Sequence, residues 1–172
     1  MAKLSEQTRE KIRGLRDHYP DRRSAVMPAL QHAQAELGVI EEDTMLEVAG
    51  LLEVPANQTA EVVSFYTMFD RVKKGKYKIE VCRNLSCALR GNLEMIEHIK
   101  KKLGIEVGET TPDGKFTLLA VECLGACGWA PMMMVGDTYY EFLTREKVDA
   151  VIGALVEGQE PPGGPHTQEV FE

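Results

Sequence analysis

Cysteine is confined to two short stretches of this chain, Cys82-Arg-Asn-Leu-Ser-Cys87 and Cys123-Leu-Gly-Ala-Cys127, and there is no other in 172 residues. The spacing is C-x4-C, then 35 residues, then C-x3-C. Four thiolates drawn from two loops make a soft sulfur site, suited to an iron–sulfur cluster or to zinc. Any fold the chain adopts must bring those two loops, far apart in sequence, to one place.

Zinc sites usually use tighter C-x2-C knuckles, and a structural zinc normally serves a chain too small to fold alone. The segments flanking these cysteines look self-sufficient, so zinc is the weaker reading. A thiol–disulfide exchange site would want C-x-x-C ahead of a helix, and neither pair has that spacing. The N-terminus, Met-Ala-Lys-Leu-Ser-Glu, has no apolar signal region, and no apolar run approaches the length of a membrane span. The expected setting is cytoplasmic, peripheral at the inner membrane face through a complex. There thiols stay reduced and disulfides are disfavoured. The sequence reading therefore takes Cys82, Cys87, Cys123 and Cys127 as ligands of one [2Fe-2S] cluster.

A formal charge of −7 argues against free nucleic acid as a partner. The local exception is Arg71-Val-Lys-Lys-Gly-Lys-Tyr-Lys78, with five basic residues in eight. It reads as a solvated linker or as a contact for an acidic neighbour.

The first 72 residues carry helical periodicity. Ser5 can cap a helix over residues 5–19, with Ile12 and Leu15 as its apolar stripe. A second spans 22–37, with Val26, Leu30, Ala33 and Leu37 on one face and Gly38 as its stop; Pro28 should kink it or push its start later. A third covers 42–52, and Pro55 opens a fourth to Phe69, whose terminal aromatics Phe65, Tyr66 and Phe69 read as packing. From residue 73 the pattern changes. Strands are predicted over 77–81, 116–122, 132–135 and 139–142, the last two joined by Gly136-Asp137 as a hairpin. Helices are predicted over 87–103 and from Thr144 to Leu155. The expected organisation is a small all-α helical bundle (1–72), an α/β domain with one sheet (73–156), and a Pro/Gly-rich tail (157–172), loose or draped over a partner.

Each cysteine pair falls just past a predicted strand. Cys87 would begin a helix and so lie at the positive end of its dipole. Gly125 and Gly128 would allow close backbone approach, and Pro131 an extended exit from the loop. Leu85, Leu124, Ala126, Trp129 and Ala130 would form an apolar shell. Arg83 and Arg90 would soften the cluster's charge or remain solvated. The four histidines, His18, His32, His98 and His166, read as surface residues.

These residues resemble the thioredoxin-like [2Fe-2S] ferredoxin family, which includes the 24-kDa flavoprotein subunit of mitochondrial complex I and its bacterial equivalent in NADH:quinone oxidoreductase. The resemblance covers about residues 15–155. It rests on Arg23-Ser-Ala-Val-Met-Pro-Ala-Leu30, Val63-Ser-Phe-Tyr-Thr67, Cys82-x4-Cys87 followed by Gly91, Thr111-Pro-Asp-Gly114, and Val121-Glu-Cys-Leu-Gly-Ala-Cys127 with Ala130-Pro131. It implies an α/β, thioredoxin-like domain after the helical bundle. It also implies Cys82 and Cys87 on one iron, and Cys123 and Cys127 on the other. The partner it implies is a subunit bearing FMN and binding NADH, with further iron–sulfur subunits in the same complex. The same type of subunit serves NAD-linked hydrogenases, formate dehydrogenases and electron-bifurcating complexes.

No Gly-x-Gly-x-x-Gly fingerprint and no Gly-rich Lys-Ser/Thr loop is present to hold a nucleotide, and no acid–base constellation stands out. The expected function is one-electron transfer within an NADH dehydrogenase complex, with no NADH turnover by this chain alone. A zinc-bound interaction module is the remote alternative.

Overall fold

Ser5 accepts a hydrogen bond from the Thr8 amide and so starts α1, Glu6–Gly14, in the computed structural model, which describes residues 4–164. The chain divides into two units, Met1–Lys73 and Lys74–Glu172.

In the first unit α1 is followed by α2 (Val26–Leu37), α3 (Glu42–Leu52) and α4 (Ala56–Phe65). Pro28 does not kink α2. A 3-10 turn over Arg22–Ala25 precedes the helix, which places the proline in its first turn, where an N–H donor would have no intrahelical partner to lose. Gly38 ends α2 at φ +73. Ile12, Val26, Leu30, Val48, Leu52, Val63 and Phe69 bury together as the core of this unit. The fourth helix stops four residues earlier than the periodicity predicts. Phe69 is buried in that core, but Phe65 is 77% exposed and Tyr66 is exposed beside it, so these two are not packing residues. They stack edge-on against each other instead.

The second unit is built on a four-stranded sheet. Its strands are β1 (Tyr77–Cys82), β2 (Phe116–Val121), β3 (Met133–Val135) and β4 (Thr138–Tyr140), in the spatial order β2-β1-β3-β4. The first two run parallel, in register from Tyr77 opposite Phe116 to Cys82 opposite Val121. The other pairings are antiparallel, and Gly136-Asp137 makes the two-residue turn of the last hairpin. Parallel neighbours need a crossover, and it is supplied by α5 (Leu85–Leu89) and α6 (Asn92–Leu103). Thr144 caps α7, Arg145–Val156. Tyr77, Ile79 and Val81 alternate into a core with Phe116, Leu118 and Met133, which Ile96 and Ile99 of α6 and Val148, Ile152 and Leu155 of α7 close.

The long helix predicted over 87–103 is two helices, because Gly91 takes φ +89 between them. This break also explains why the row Leu89, Leu93, Ile96, Ile99 is not one buried stripe: Leu89 is 79% exposed, while Ile96 and Ile99 are buried.

His98 is not a free surface residue, since its Nε2 lies 2.9 Å from Asp149 Oδ1, which Lys102 also approaches at 2.9 Å. His18 faces the Gly14 carbonyl, and His166 lies outside the described residues. Lys102 and then His98 hold the Asp149 carboxyl below the usual carboxylate range. A depressed acid contributes stability above its unfolded pKa of about 3.9, and loses it as pH falls through the folded value. The group is part exposed, so the contribution is under about 1 kcal/mol. The melting temperature of Asp149→Asn should accordingly fall less between pH 5 and pH 3 than that of the wild type.

The start of the tail is not loose. Tyr140 donates its hydroxyl to the Pro161 carbonyl at 2.9 Å, and the Gly164 amide donates to the Tyr139 carbonyl at 2.8 Å. Pro161 and Gly164 are thus tied to the edge strand β4, and residues 165–172 of the predicted tail lie outside the described residues.

Candidate metal centre

Strands that run parallel as neighbours end on the same side of a sheet, and this is what brings the two cysteine pairs together. Cys82 is the last residue of β1, and Cys123 follows β2 by two residues. The in-register pairing of Cys82 with Val121 therefore delivers both loops to one edge. Within the first pair, Cys82 and Cys87 are buried in one cluster. Within the second, the Cys123 and Cys127 sulfurs are 3.5 Å apart. The loops also touch: Ala126, beside Cys127, is buried in one cluster with Cys82 and Cys87. All four cysteines are free thiols.

The pairs differ in depth. Cys82 and Cys87 are buried with Ala126, Ala130 and Met132, and Leu124, Trp129 and Tyr139 pack against that group. Cys123 and Cys127 are exposed. Burial, with Cys82 alongside, pushes the Cys87 thiol up to about 11. Cys127 is pushed up chiefly by its neighbour Cys123. Crowded sulfurs resist ionising together, and only added positive charge offsets that resistance. In metal-free protein, iodoacetamide should therefore modify Cys123 and Cys127 well before Cys82 and Cys87, as read by peptide mass spectrometry over a time course.

A backbone amide faces one of the sulfurs. Gly125, at φ +81, turns its N–H to the Cys123 sulfur at 3.3 Å. The Met132 backbone works to lower the Cys87 thiol's pKa, against the larger effect of burial. The segment Cys127–Trp129 forms a 3-10 turn, and a cis peptide joins Ala130 to Pro131. The loop is then tied to the residues after β4, with Phe142 donating to Trp129 at 2.9 Å and Leu143 to Pro131 at 2.8 Å.

Several expected neighbours stand elsewhere. Cys87 is the third residue of a five-residue helix, so it has no dipole end of its own to occupy. Leu85 is 69% exposed and shields nothing in this chain. Arg83 is engaged by Glu122, with its Nη2 2.5 Å from that carboxylate.

One residue escaped the sequence reading altogether. Asn92, fully buried, donates its amide to the Cys82 carbonyl at 2.7 Å and to the Met132 carbonyl at 2.8 Å. It thereby clamps the end of β1 to the segment that follows the loop of Cys123 and Cys127. The available signal was the Gly91-Asn92 dipeptide, a breaker inside an otherwise helical pattern.

Among the described residues, no three His, Cys, Asp or Glu side chains are grouped to hold one metal ion. The thiols come instead as two twos, a donor set that fits a two-iron cluster bound two thiolates to each iron.

Residues 12–156 match the family model described as Thioredoxin-like [2Fe-2S] ferredoxin. An NADH-quinone oxidoreductase subunit of Rhizobium meliloti (strain 1021) is 46% identical over 144 residues, covering 84% of this chain and 86% of that protein. An NADH-quinone oxidoreductase subunit of Aquifex aeolicus (strain VF5) is 37% identical over 147 residues, covering 86% and 92%. Among solved structures, a chain of an NAD+-reducing [NiFe]-hydrogenase in the air-oxidized state superposes with a TM-score of 0.67 at 20% identity. That likeness is one of fold, over 77% of this chain and 23% of the hydrogenase chain.

Proposed function

This chain belongs to the thioredoxin-like [2Fe-2S] ferredoxin family, and on that premise we propose that it carries single electrons as the ferredoxin-like component of an NADH:quinone oxidoreductase. Its four cysteines are the proposed ligands, Cys82 and Cys87 to one iron, Cys123 and Cys127 to the other. The observation that carries the reading is the meeting of two thiol pairs at one edge of a parallel strand pair, with Ala126 of the second loop buried against Cys82 and Cys87 of the first.

A bound [2Fe-2S] cluster supplies one-electron chemistry, its charge changing by a single unit. The protein's part is to hold and tune it. The Gly125 amide places partial positive charge on the Cys123 sulfur, which favours the more negative state. Ala126, Ala130 and Met132 keep water from the Cys82–Cys87 side. The exposed Cys123–Cys127 side is where a redox partner can come within transfer distance.

The partner we propose is the subunit of the same complex that holds FMN and oxidises NADH. The respiratory assignment is preferred to a hydrogenase or formate dehydrogenase because the relatives of 46% and 37% identity are named for NADH-quinone oxidoreductase, whereas the hydrogenase likeness is one of fold. No helix among the described residues is long and apolar enough to cross a membrane, so attachment there would run through the complex.

The test uses cluster-loaded protein under anaerobic conditions. NADH alone should leave its visible absorption unchanged, and NADH together with the flavin-bearing subunit should bleach it. Bleaching by NADH without that subunit would contradict the proposal.

A further inference from the structure

A single peptide unit in the second ligand loop is held at both ends. Its carbonyl, Leu124 O, accepts a hydrogen bond from the Tyr139 hydroxyl at 3.1 Å. Its amide, Gly125 N–H, donates to the Cys123 sulfur at 3.3 Å. Because a peptide is planar, fixing its oxygen fixes the direction of its N–H. Because hydrogen bonds along a chain polarise one another, a donor at the oxygen also strengthens the bond at the nitrogen.

The rotation matters at this position. Gly125 stands at φ +81, in a region that glycine enters freely and can leave as freely, so the loop backbone alone does little to hold that N–H on the sulfur. Tyr139 has no such freedom. It lies in β4, paired with Met134, and its carbonyl is bound by the Gly164 amide. Its ring packs against the group formed by Cys82, Cys87, Ala126, Ala130 and Met132. The hydroxyl is thus presented at the end of a rigid ring on a fixed strand.

We infer that Tyr139 is a positioning residue for the cluster, holding and polarising the Leu124–Gly125 peptide so that its N–H bears on the Cys123 sulfur. This rests on the assignment of Cys123 as a ligand. Amide donors at ligand sulfurs favour the reduced, more negative state and raise the potential. Removing the hydroxyl weakens one such donor, so the potential falls.

The experiment compares full-length, cluster-loaded Tyr139→Phe with wild type and with Tyr140→Phe. Phenylalanine keeps the ring and its packing. Tyr140 is the adjacent tyrosine, whose hydroxyl bonds to Pro161, away from the ligand loop. Spectroscopic redox titration should give a lower midpoint potential for Tyr139→Phe alone. Amide exchange at Gly125, followed by NMR on the metal-free chains, should quicken about tenfold in the same variant, in line with the loss of one hydrogen bond. A Tyr139→Phe potential equal to the wild type's, or a shift shared equally by Tyr140→Phe, overturns the inference. A wild-type chain that takes up no cluster would defeat the proposed function instead; Gly125 exchange then decides this point alone, and no change there overturns it.

Discussion

Cys87→Ala should abolish retention of the cluster, and so should Cys123→Ala, but the two should part company once metal is absent. Each removes one of the four proposed sulfur ligands, so iron content and visible absorption should collapse in both. In metal-free protein Cys87 is buried among Ala126, Ala130 and Met132, and its loss leaves a small void costing about 1 kcal/mol. Cys123 is exposed, and its replacement should lie within about 0.5 kcal/mol of wild type. Chemical denaturation of the metal-free variants, set beside iron analysis of the loaded ones, separates a ligand's role from a packing role. Retention of a full cluster by either variant would remove that cysteine from the ligand set.

Asn92→Leu should be the most damaging change outside the cysteines. It withdraws two buried donors, at about 1–3 kcal/mol for the Cys82 carbonyl and less for the Met132 carbonyl, which keeps the Cys82 amide at 3.3 Å. The expected loss is about 2–4 kcal/mol, which lowers the melting temperature of a domain this size by about 10 °C or more. The penalty is eased somewhat because Asn92 Oδ1 is itself buried without a partner among the described residues, and leucine no longer buries it. The damage should also reach the site, since Cys82 ends β1 and Met132 is buried against Cys82 and Cys87. Loaded Asn92→Leu should therefore release iron to a chelator faster than wild type. A melting temperature within about 2 °C of wild type would show that the clamp contributes little.

The strands and most helix ends were legible because their signals are local. Gly38, Thr144 and the Gly136-Asp137 turn each act within a few residues of themselves, and the structure places them where the sequence does. Pro28 was legible as a disturbance, but its harmless place in the first turn depends on where the preceding 3-10 turn gives way to α2. The break at Gly91 was hidden because Leu89, Leu93, Ile96 and Ile99 keep helical spacing across it. Periodicity reports spacing and carries no information about whether the backbone between is continuous. Phe65 and Tyr66 misled for a related reason, since aromatic character does not fix which face of a helix finds a core.

At the site, the four cysteines were plain from composition and spacing. What the sequence could not convey were the non-local partners. Asn92 reaches carbonyls 10 and 40 residues away. Tyr139 reaches Leu124 across a strand pair, and Arg83 is engaged by Glu122, 39 residues on. Each of these contacts exists only once the sheet has formed in the order β2-β1-β3-β4, so each follows from topology rather than from any nearby residue pattern.

The central claim, that two pairs of thiols hold one two-iron cluster, is met most directly by metal and sulfide analysis of anaerobically purified full-length protein. The account predicts about two irons and two acid-labile sulfides per chain, in a coloured protein that bleaches with dithionite. About one zinc per chain, with no labile sulfide and no visible absorption, would contradict it.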